Sequence, residues 1–413
     1  MFTKFKKSIQ PLINLYHLFW AVIATIYYGF PSTKLKVIGV TGTDGKTTTA
    51  HCIYHILKSS GKKVSMISTV YAKIGETEYE TGLHVTTPDA VLVQKLLNES
   101  VKNKDEYFVL ETTSHAIDQN RNYGIHYEIG VITNITHEHL DYHKTYDRYL
   151  KIKNKLLLHS KTAILNRDDS SYEKLYYELG TRKYNTKHKQ VTYGLKRYAN
   201  YRLNIAKTLN LEIPQYNNSN YLAAFAVCAE LGIAKQSILK AMKTFSLPLG
   251  RREVVYDEKF MIIVDFAHTP NSLNKILSDL RECANTRKGN LIHVFGAAGL
   301  RDAKKRPMMG AESSKFADVS IITEEDFRTE NIVTISNEII SGVKNSASRM
   351  KKETVMIIEN RQKAINKAVS IANKGDIVVC TGKAHEKSLN RHGKEEPWDE
   401  FAAIKTALNL RNP

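Results

Sequence analysis

The chain has 413 residues, enough for two large domains, and 25% of them are charged, which excludes a disordered or low-complexity protein. The formal net charge of +18 suits anionic substrates such as nucleotides and polycarboxylates, or an anionic membrane face; no basic cluster interleaved with aromatics occurs, which argues against nucleic acid as a partner. Cys52, Cys228, Cys283 and Cys380 are scattered without a C-x-x-C pair, which points to a reducing compartment and away from a structural zinc site.

The first element is residues 12–30, "LINLYHLFWAVIATIYYGF", preceded by Lys4, Lys6 and Lys7. In length and flanks it resembles a signal anchor. A spanning helix with its basic end in the cytoplasm would leave the nucleotide loop that follows outside, where ATP is scarce. A helix that is buried or lies on a membrane surface is therefore expected. Packing against the next domain is favoured, because no polar linker separates Pro31 from the strand that starts at Lys36.

That strand opens "KVIGVTGTDGKTTTA", residues 36–50. The common phosphate loop G-x-x-x-x-G-K-[ST] would need Gly at position 40, where Val40 stands; Gly39, Gly42 and Gly45 precede Lys46 and Thr47 instead. Val37, Ile38 and Val40 read as a short apolar strand, and the glycines let the backbone turn with its N–H groups converging. A helix is expected from about Thr47, with Ala50, Ile53, Tyr54 and Leu57 on one face and Gly61 at its close. Its N-terminus favours an anion, Lys46 can reach the outer phosphates, and the Thr47 hydroxyl suits Mg²⁺.

Strands are expected next at 64–69, 107–110 and 129–134, separated by helical patterns, which implies a parallel sheet with helices on both faces. "FSLPLGRRE", 245–253, reads as a domain junction. Beyond it run "MIIVDFAH", "LIHVFGAAG", "DVSIITEED", "TVMIIEN" and "DIVVCTGKAHE", each apolar first and polar or glycine-rich last, as when the carboxyl ends of parallel strands line a site. The expected organisation is α/β throughout. A helical segment at 1–33 precedes a central phosphate-loop domain at 34–246 and a Rossmann-like domain at 247–413.

Three stretches carry further chemistry. "YFVLETTSHAIDQNR" places Glu111 at the tip of an apolar strand, a natural Mg²⁺ ligand beside a nucleotide loop. "VITNITHEHLDYH", 131–143, gathers His137, His139 and His143 around Glu138 and Asp141; by itself this is more often a plain loop than a metal site. In "TYDRYLKIKNKLLLHS", helical spacing puts Tyr149, Leu150, Ile152, Leu156 and Leu157 on one face with Lys153 in its middle, while Lys151 and Lys155 project the other way. A buried ammonium must lose its charge or find a partner, and carbamylation by CO₂ would make Lys153 an anionic, carboxylate-like metal ligand. A lysine snorkelling at the helix edge is the plainer alternative.

Together these segments resemble the Mur ligase family, and within it the MurE type, which adds a diamino acid to UDP-N-acetylmuramoyl-L-alanyl-D-glutamate. "TGTDGKTTT" is similar to the family's ATP loop, which implies ATP contacts from Gly42, Thr43, Asp44, Gly45, Lys46, Thr47 and Thr48. "TTPDA" and "ETTSHAIDQNR" resemble the segments that hold the muramoyl-peptide, implying roles for Thr86, Thr87, Ser114, Gln119 and Arg121. By the same resemblance two magnesium ions are implied, one held by Thr47 and Glu111 and the other by His139 and Lys153, the latter as the carbamylated lysine. "YNNSNYLAA" carries over Asn217 and Asn220 to the adenine side; "GRRE" and "DFAHTP" carry over Arg251, Asp265 and His268 to ATP. Arg328, Gly382 and Glu386 are implied for the incoming amino acid. The motifs run in family order over residues 36–410 and imply an ATP- and Mg²⁺-dependent ligase of small-molecule carboxylates and amines, with Lys46, Glu111, His139 and Lys153 catalytic.

Departures accompany the match. Only the short aromatic segment stands ahead of the first strand, where the family carries a domain that grips UDP. The family's D-N-P-R appears as Glu325-Asp326-Phe327-Arg328; Thr112-Thr113 replaces a hydrophobic-Ser pair, and Pro214-Gln215 a glycine-containing approach to the adenine motif. A folylpolyglutamate-synthase-like ligase, a MurT-like amidating subunit and a non-catalytic nucleotide-binding scaffold at a membrane are the alternative readings. "TTPDA" and "ETTSH" favour MurE over the first, the missing Cys-rich insertion weighs against the second, and a second metal site would be superfluous in the third.

Overall fold

A computed structural model describes residues 10–82, 86–136, 138–180, 189–211, 213–344 and 354–411; Lys4, Lys6, Lys7 and His137 lie outside this set. The chain forms two compact units, residues 1–137 with 143–246, and 138–142 with 247–413.

In the first unit eight strands make one sheet: β1 (Lys36–Thr41), β2 (Val64–Ile67), β3 (Ala72–Ile74), β4 (Thr77–Tyr79), β5 (Tyr107–Glu111), β6 (Tyr127–Ile132), β7 (Ser160–Asn166) and β8 (Lys189–Tyr193). Their order is β4-β3-β2-β5-β1-β6-β7-β8. From β2 to β8 all pairings are parallel, and the interior strands are apolar runs because helices cover both faces. β1 lies between β5 and β6, with Val40 paired to Glu111 and Thr41 to Ile132. The carboxyl ends of three strands therefore meet where connections leave in opposite directions, the place where open α/β sheets bind ligands.

Several features differ from the sequence expectation: β2 ends at Ile67 rather than 69, and β7 and β8 add two strands where none was expected. The β3–β4 hairpin adds an antiparallel edge to the parallel sheet; strands of three residues are too short to show a period. β6 starts at Tyr127 and ends at Ile132, not 134, because Thr133 and Asn134 turn their side chains to Asp44.

One face of the sheet packs Val37, Ile67, Phe108 and Leu110 against Val93, Leu96 and Leu97 of helix Ala90–Lys102 and Ile152 and Leu156 of helix Tyr146–Leu158. Gly39 permits the second of these approaches, since a Cβ there would stand 2.7 Å from Leu156 Cδ1. The N-terminal helix, Gln10–Tyr27, packs on helix Ala90–Lys102 through Ala21, Ala24 and Thr25; Thr25 Oγ1 lies 3.2 Å from the Tyr123 carbonyl, and Asn14 donates to Asp118 at 3.2 Å. Among the described residues no helix is long and apolar enough to cross a membrane.

The second unit holds a six-stranded sheet: β9 (Glu253–Asp257), β10 (Met261–Asp265), β11 (Leu291–Phe295), β12 (Val319–Ile322), β13 (Val355–Ile357) and β14 (Ile377–Thr381), in the order β13-β12-β11-β14-β10-β9. Only β9 is antiparallel. A separate hairpin pairs β15 (Ser388–Arg391) with β16 (Lys394–Pro397). The core includes Ile262, Val264, Ile292, Val294 and Val378 with Ala364, Ile365 and Val369 of helix Arg361–Ile371. Arg361 is fully buried there and reaches Glu400 through Nη2 at 2.6 Å and Nε at 2.8 Å.

Candidate active site

The loop between β1 and helix Lys46–Ser59 spans residues 42–45. Gly45 caps the helix with φ 81°, and Gly42 has φ 153°, conformations that L side chains rarely adopt. A Cβ at Gly42 would fall 1.8 Å from Thr133 Oγ1, and one at Gly45 would fall 2.2 Å from Asn220 Oδ1, so no other residue fits either position. The loop is braced from β6: Asn134 Oδ1 accepts from Asp44 N at 3.0 Å, its Nδ2 donates to the Asp44 carbonyl at 3.0 Å, and Thr133 donates to the same carbonyl at 2.6 Å. Thr43 meets the Tyr149 hydroxyl at 3.1 Å. Lys46 Nζ donates to the Thr43 carbonyl at 2.8 Å. Thr48 is buried one residue beyond Thr47.

Glu111 is fully buried at the tip of β5. Its Oε1 accepts from Thr47 at 3.0 Å and from Thr69 Oγ1 at 2.8 Å, and its Oε2 accepts from Thr69 N at 2.9 Å. The network runs on to the segment 86–90: the Thr86 hydroxyl lies 3.2 Å from Thr69 Oγ1, which can accept from it, and Thr87 donates to the Glu111 carbonyl at 3.2 Å. Arg121 donates to the Thr87 carbonyl and to Gln119, each at 2.9 Å. Ser114 meets His143 Nε2 at 2.9 Å. Burial, more than any neighbouring charge, pushes His143 down to about 4.

Lys153 sits on helix Tyr146–Leu158 with 1% of its surface exposed, while Lys151 and Lys155 are exposed. Its Nζ donates to the Gly42 carbonyl at 2.6 Å, contacts Thr41 Oγ1 at 3.4 Å and stands 4.8 Å over the Tyr149 ring. Desolvation, aided by the Lys46 ammonium, holds this amine well below the usual lysine range. Asn220 donates to Asn217 at 2.9 Å, close against Gly45.

Residue types and geometry fit a magnesium nucleotide. Thr47 and Glu111 offer hard oxygen donors side by side, and the glycine loop leads directly into a helix N-terminus capped by Gly45. No cluster of three His, Cys, Asp or Glu that could hold a metal ion stands among the described residues. His139, φ 56°, belongs to the 138–142 stretch that packs with the second unit, so the four expected magnesium ligands divide between the units, three in the first. Its Nδ1 is 3.9 Å from Glu138, which pairs with Lys305 at 3.1 Å.

The second unit gathers the remaining expected residues. Arg251 lies over the Phe266 ring at 4.7 Å, and His268 Nδ1 bonds the Phe266 carbonyl at 2.8 Å. Asp265 accepts from the backbone N–H of Arg252 and of Ala267, each at 2.7 Å; burial nevertheless raises its carboxyl. Gly382 N donates to the Asp265 carbonyl at 3.1 Å. Glu386 pairs with Lys383 at 2.6 Å, and Lys383 reaches Asp326 at 2.8 Å, so the residue replacing the motif's Asn is engaged in an ion pair. Arg328 donates to the Gly299 carbonyl at 2.6 Å.

Sequence reasoning missed Thr69, Thr133 and Asn134. The last two follow β6 as "TN", a polar pair at a strand tip, which was the available signal; Thr69 carried none.

A glycine loop at a helix N-terminus, a lysine and a Thr–carboxylate pair at the switch point of a parallel sheet define a phosphate-loop nucleotide site. Residues 40–228 match the Mur ligase middle domain and 250–384 the Mur ligase glutamate ligase domain. The chain is 38% identical over 401 residues to UDP-N-acetylmuramoyl-L-alanyl-D-glutamate–2,6-diaminopimelate ligase 1 of Clostridium acetobutylicum, with 92% of this chain and 79% of the relative covered. It is 36% identical over 400 residues to the same-named ligase of Aquifex aeolicus, with the same coverage. A solved ligase of that name superposes with a TM-score of 0.58 at 27% identity over 92% of this chain and 79% of the other. A bifunctional folylpolyglutamate synthase/dihydrofolate synthase from Yersinia pestis shares the fold alone, with a TM-score of 0.68 at 18% identity over 95% of each chain. The chain belongs to the Mur ligase family. It is accordingly an ATP-dependent amide ligase of a family that uses Mg²⁺.

Proposed function

We propose that this protein is a MurE-type ligase, joining an amino acid to the carboxylate of a muramoyl-peptide in peptidoglycan precursor synthesis. The observation that supports it best is the hydrogen-bonded path from Thr47 through Glu111 and Thr69 to Thr86 and Thr87, which ties the phosphate loop to the segment resembling the family's peptide-binding one. A substrate carboxylate oxygen attacks the γ-phosphorus of ATP, ADP leaves, and an acyl phosphate forms. The amine then attacks the acyl carbon, phosphate departs, and the amine loses a proton. Of two Mg²⁺ ions, Thr47 and Glu111 would hold one and His139 with Lys153 the other, and both would spread the charge of the transferring phosphoryl group. Lys46 neutralises the same charge, leaving the protein mainly positioning and electrostatics to supply. Asn217, Asn220, Arg251, Asp265 and His268 bind the nucleotide; Ser114, Gln119 and Arg121 orient the peptide; Arg328, Gly382 and Glu386 receive the amino acid.

Lys153 acts as its carbamate in this reading. Burial favours the neutral amine, the form that adds CO₂ with loss of a proton, and the resulting anion would be a hard oxygen ligand. The test of the whole reading is phosphate release with ATP, Mg²⁺, UDP-muramoyl-dipeptide and a panel of amino acids. Diamino acids should stimulate release; stimulation by glutamate on a folate, and none on the muramoyl-dipeptide, would transfer the assignment to the folate ligases.

A further inference from the structure

Helix Gln10–Tyr27 has two unlike sides. Its inner side, with Asn14, Ala21, Ala24 and Thr25, is seated on the first unit. Its outer side carries Leu12, Leu15, Phe19, Trp20, Ile23 and Ile26, exposed by 67, 62, 59, 43, 40 and 62%. Leu12, Leu15, Phe19, Ile23 and Ile26, three and four residues apart, make one continuous apolar stripe with Trp20 at its edge along a helix ~27 Å long. Apolar residues scattered singly on a surface need no explanation, but a contiguous stripe marks an interaction face.

Charge identifies the partner. Residues 1–43 contain Lys4, Lys6, Lys7, Lys34 and Lys36 and neither Asp nor Glu, within a chain of net charge +18. Of these, Lys36 is paired with Glu106. The stripe is also rich in rings with a polar atom, Trp20 among the exposed ones and Tyr16 and Tyr27 at its margins. Apolar depth, amphipathic rings and flanking cations are what a headgroup boundary favours. A second copy would bring two cationic, acid-free segments face to face, which like-charge repulsion opposes.

We propose that this helix docks the protein on an anionic lipid bilayer, lying in the plane of the headgroups with the Leu12–Ile26 stripe in the acyl boundary and its inner side still packed on the first unit. The test uses the full chain and vesicles of phosphatidylcholine alone or with about a third phosphatidylglycerol. Sedimentation with the anionic vesicles is expected, weakening as salt rises. The double variant Phe19→Ser/Ile23→Ser should bind about tenfold or more weakly, with unchanged circular dichroism and unchanged lipid-free ligase activity. Brominated acyl chains should quench the tryptophan emission of the native chain and not that of Trp20→Phe, since the other tryptophan, Trp398, belongs to the second unit. No sedimentation with anionic vesicles, or binding that survives the double substitution, would overturn the proposal. So would a concentration-dependent dimer that the double substitution abolishes, because a second copy would then cover the stripe.

Discussion

The Lys153 amine and the Gly42 carbonyl meet at 2.6 Å, so the one buried lysine of helix Tyr146–Leu158 is fastened to the backbone of the phosphate loop. Lys153→Ala is expected to lose most ATP-dependent phosphate release and to regain part of it with added short carboxylates, which stand in for carbamate oxygens. Lys151→Ala and Lys155→Ala, on the exposed face, should stay near native. A ¹³CO₂ labelling experiment at pH 8 that finds no carbamate on the native protein would remove the basis for this assignment.

Lys46→Ala should lower turnover about a hundredfold or more, on the order of 3 kcal/mol of lost charge stabilisation. The fold should survive, because the Lys46 side chain is only partly buried and its ammonium bonds one carbonyl of its own loop. Steady-state phosphate release and thermal unfolding measured side by side check both halves. Near-native turnover would mean that this loop is not where the phosphoryl group moves.

His293 provides a pH prediction. It is fully buried between Ser313 Oγ at 2.8 Å and Thr381 Oγ1 at 3.0 Å, and burial pushes its imidazole from 6.5 down to about 3. Between those values the unfolded chain binds a proton that the folded chain does not. The contribution is therefore complete above about pH 6.5 and is lost as pH falls toward 3, in total on the order of 5 kcal/mol. Urea unfolding from pH 7.5 to pH 4.5 should show stability falling more steeply in the native chain than in His293→Gln. Parallel slopes would contradict it.

Arg361 and Glu400 form a bidentate pair with both side chains fully buried. Glu400→Ala should cost about 3–5 kcal/mol, since it strands a guanidinium in the core. The double variant Arg361→Met/Glu400→Leu should recover most of that loss. Denaturant titration of both variants decides it: a double variant no better than the single one would mean that the pair holds the fold beyond its own charges.

The loop at 36–50 and the burial of Lys153 were legible because each rests on local spacing, a glycine offset in one case and a helical face in the other. Glu111 was legible as the last residue of an apolar run. The braces of the site were not: Thr69, Thr133 and Asn134 come from other strands or their tips, and only the strand order of the sheet brings them to Glu111 and Asp44. The Asp326–Lys383 pair was equally hidden, because 57 positions separate two ordinary charged residues in the chain. The three-residue strands of the β3–β4 hairpin escaped for want of length.

Lys46 donates to the Thr43 carbonyl of its own loop. A visiting molecule gains the ammonium only by outcompeting a neutral acceptor, which a polyanionic tail does readily and an uncharged nucleoside does not. The cleft thus ranks its visitors by charge before shape is consulted, and a lysine already folded inward has less to lose on capture than one waving in water.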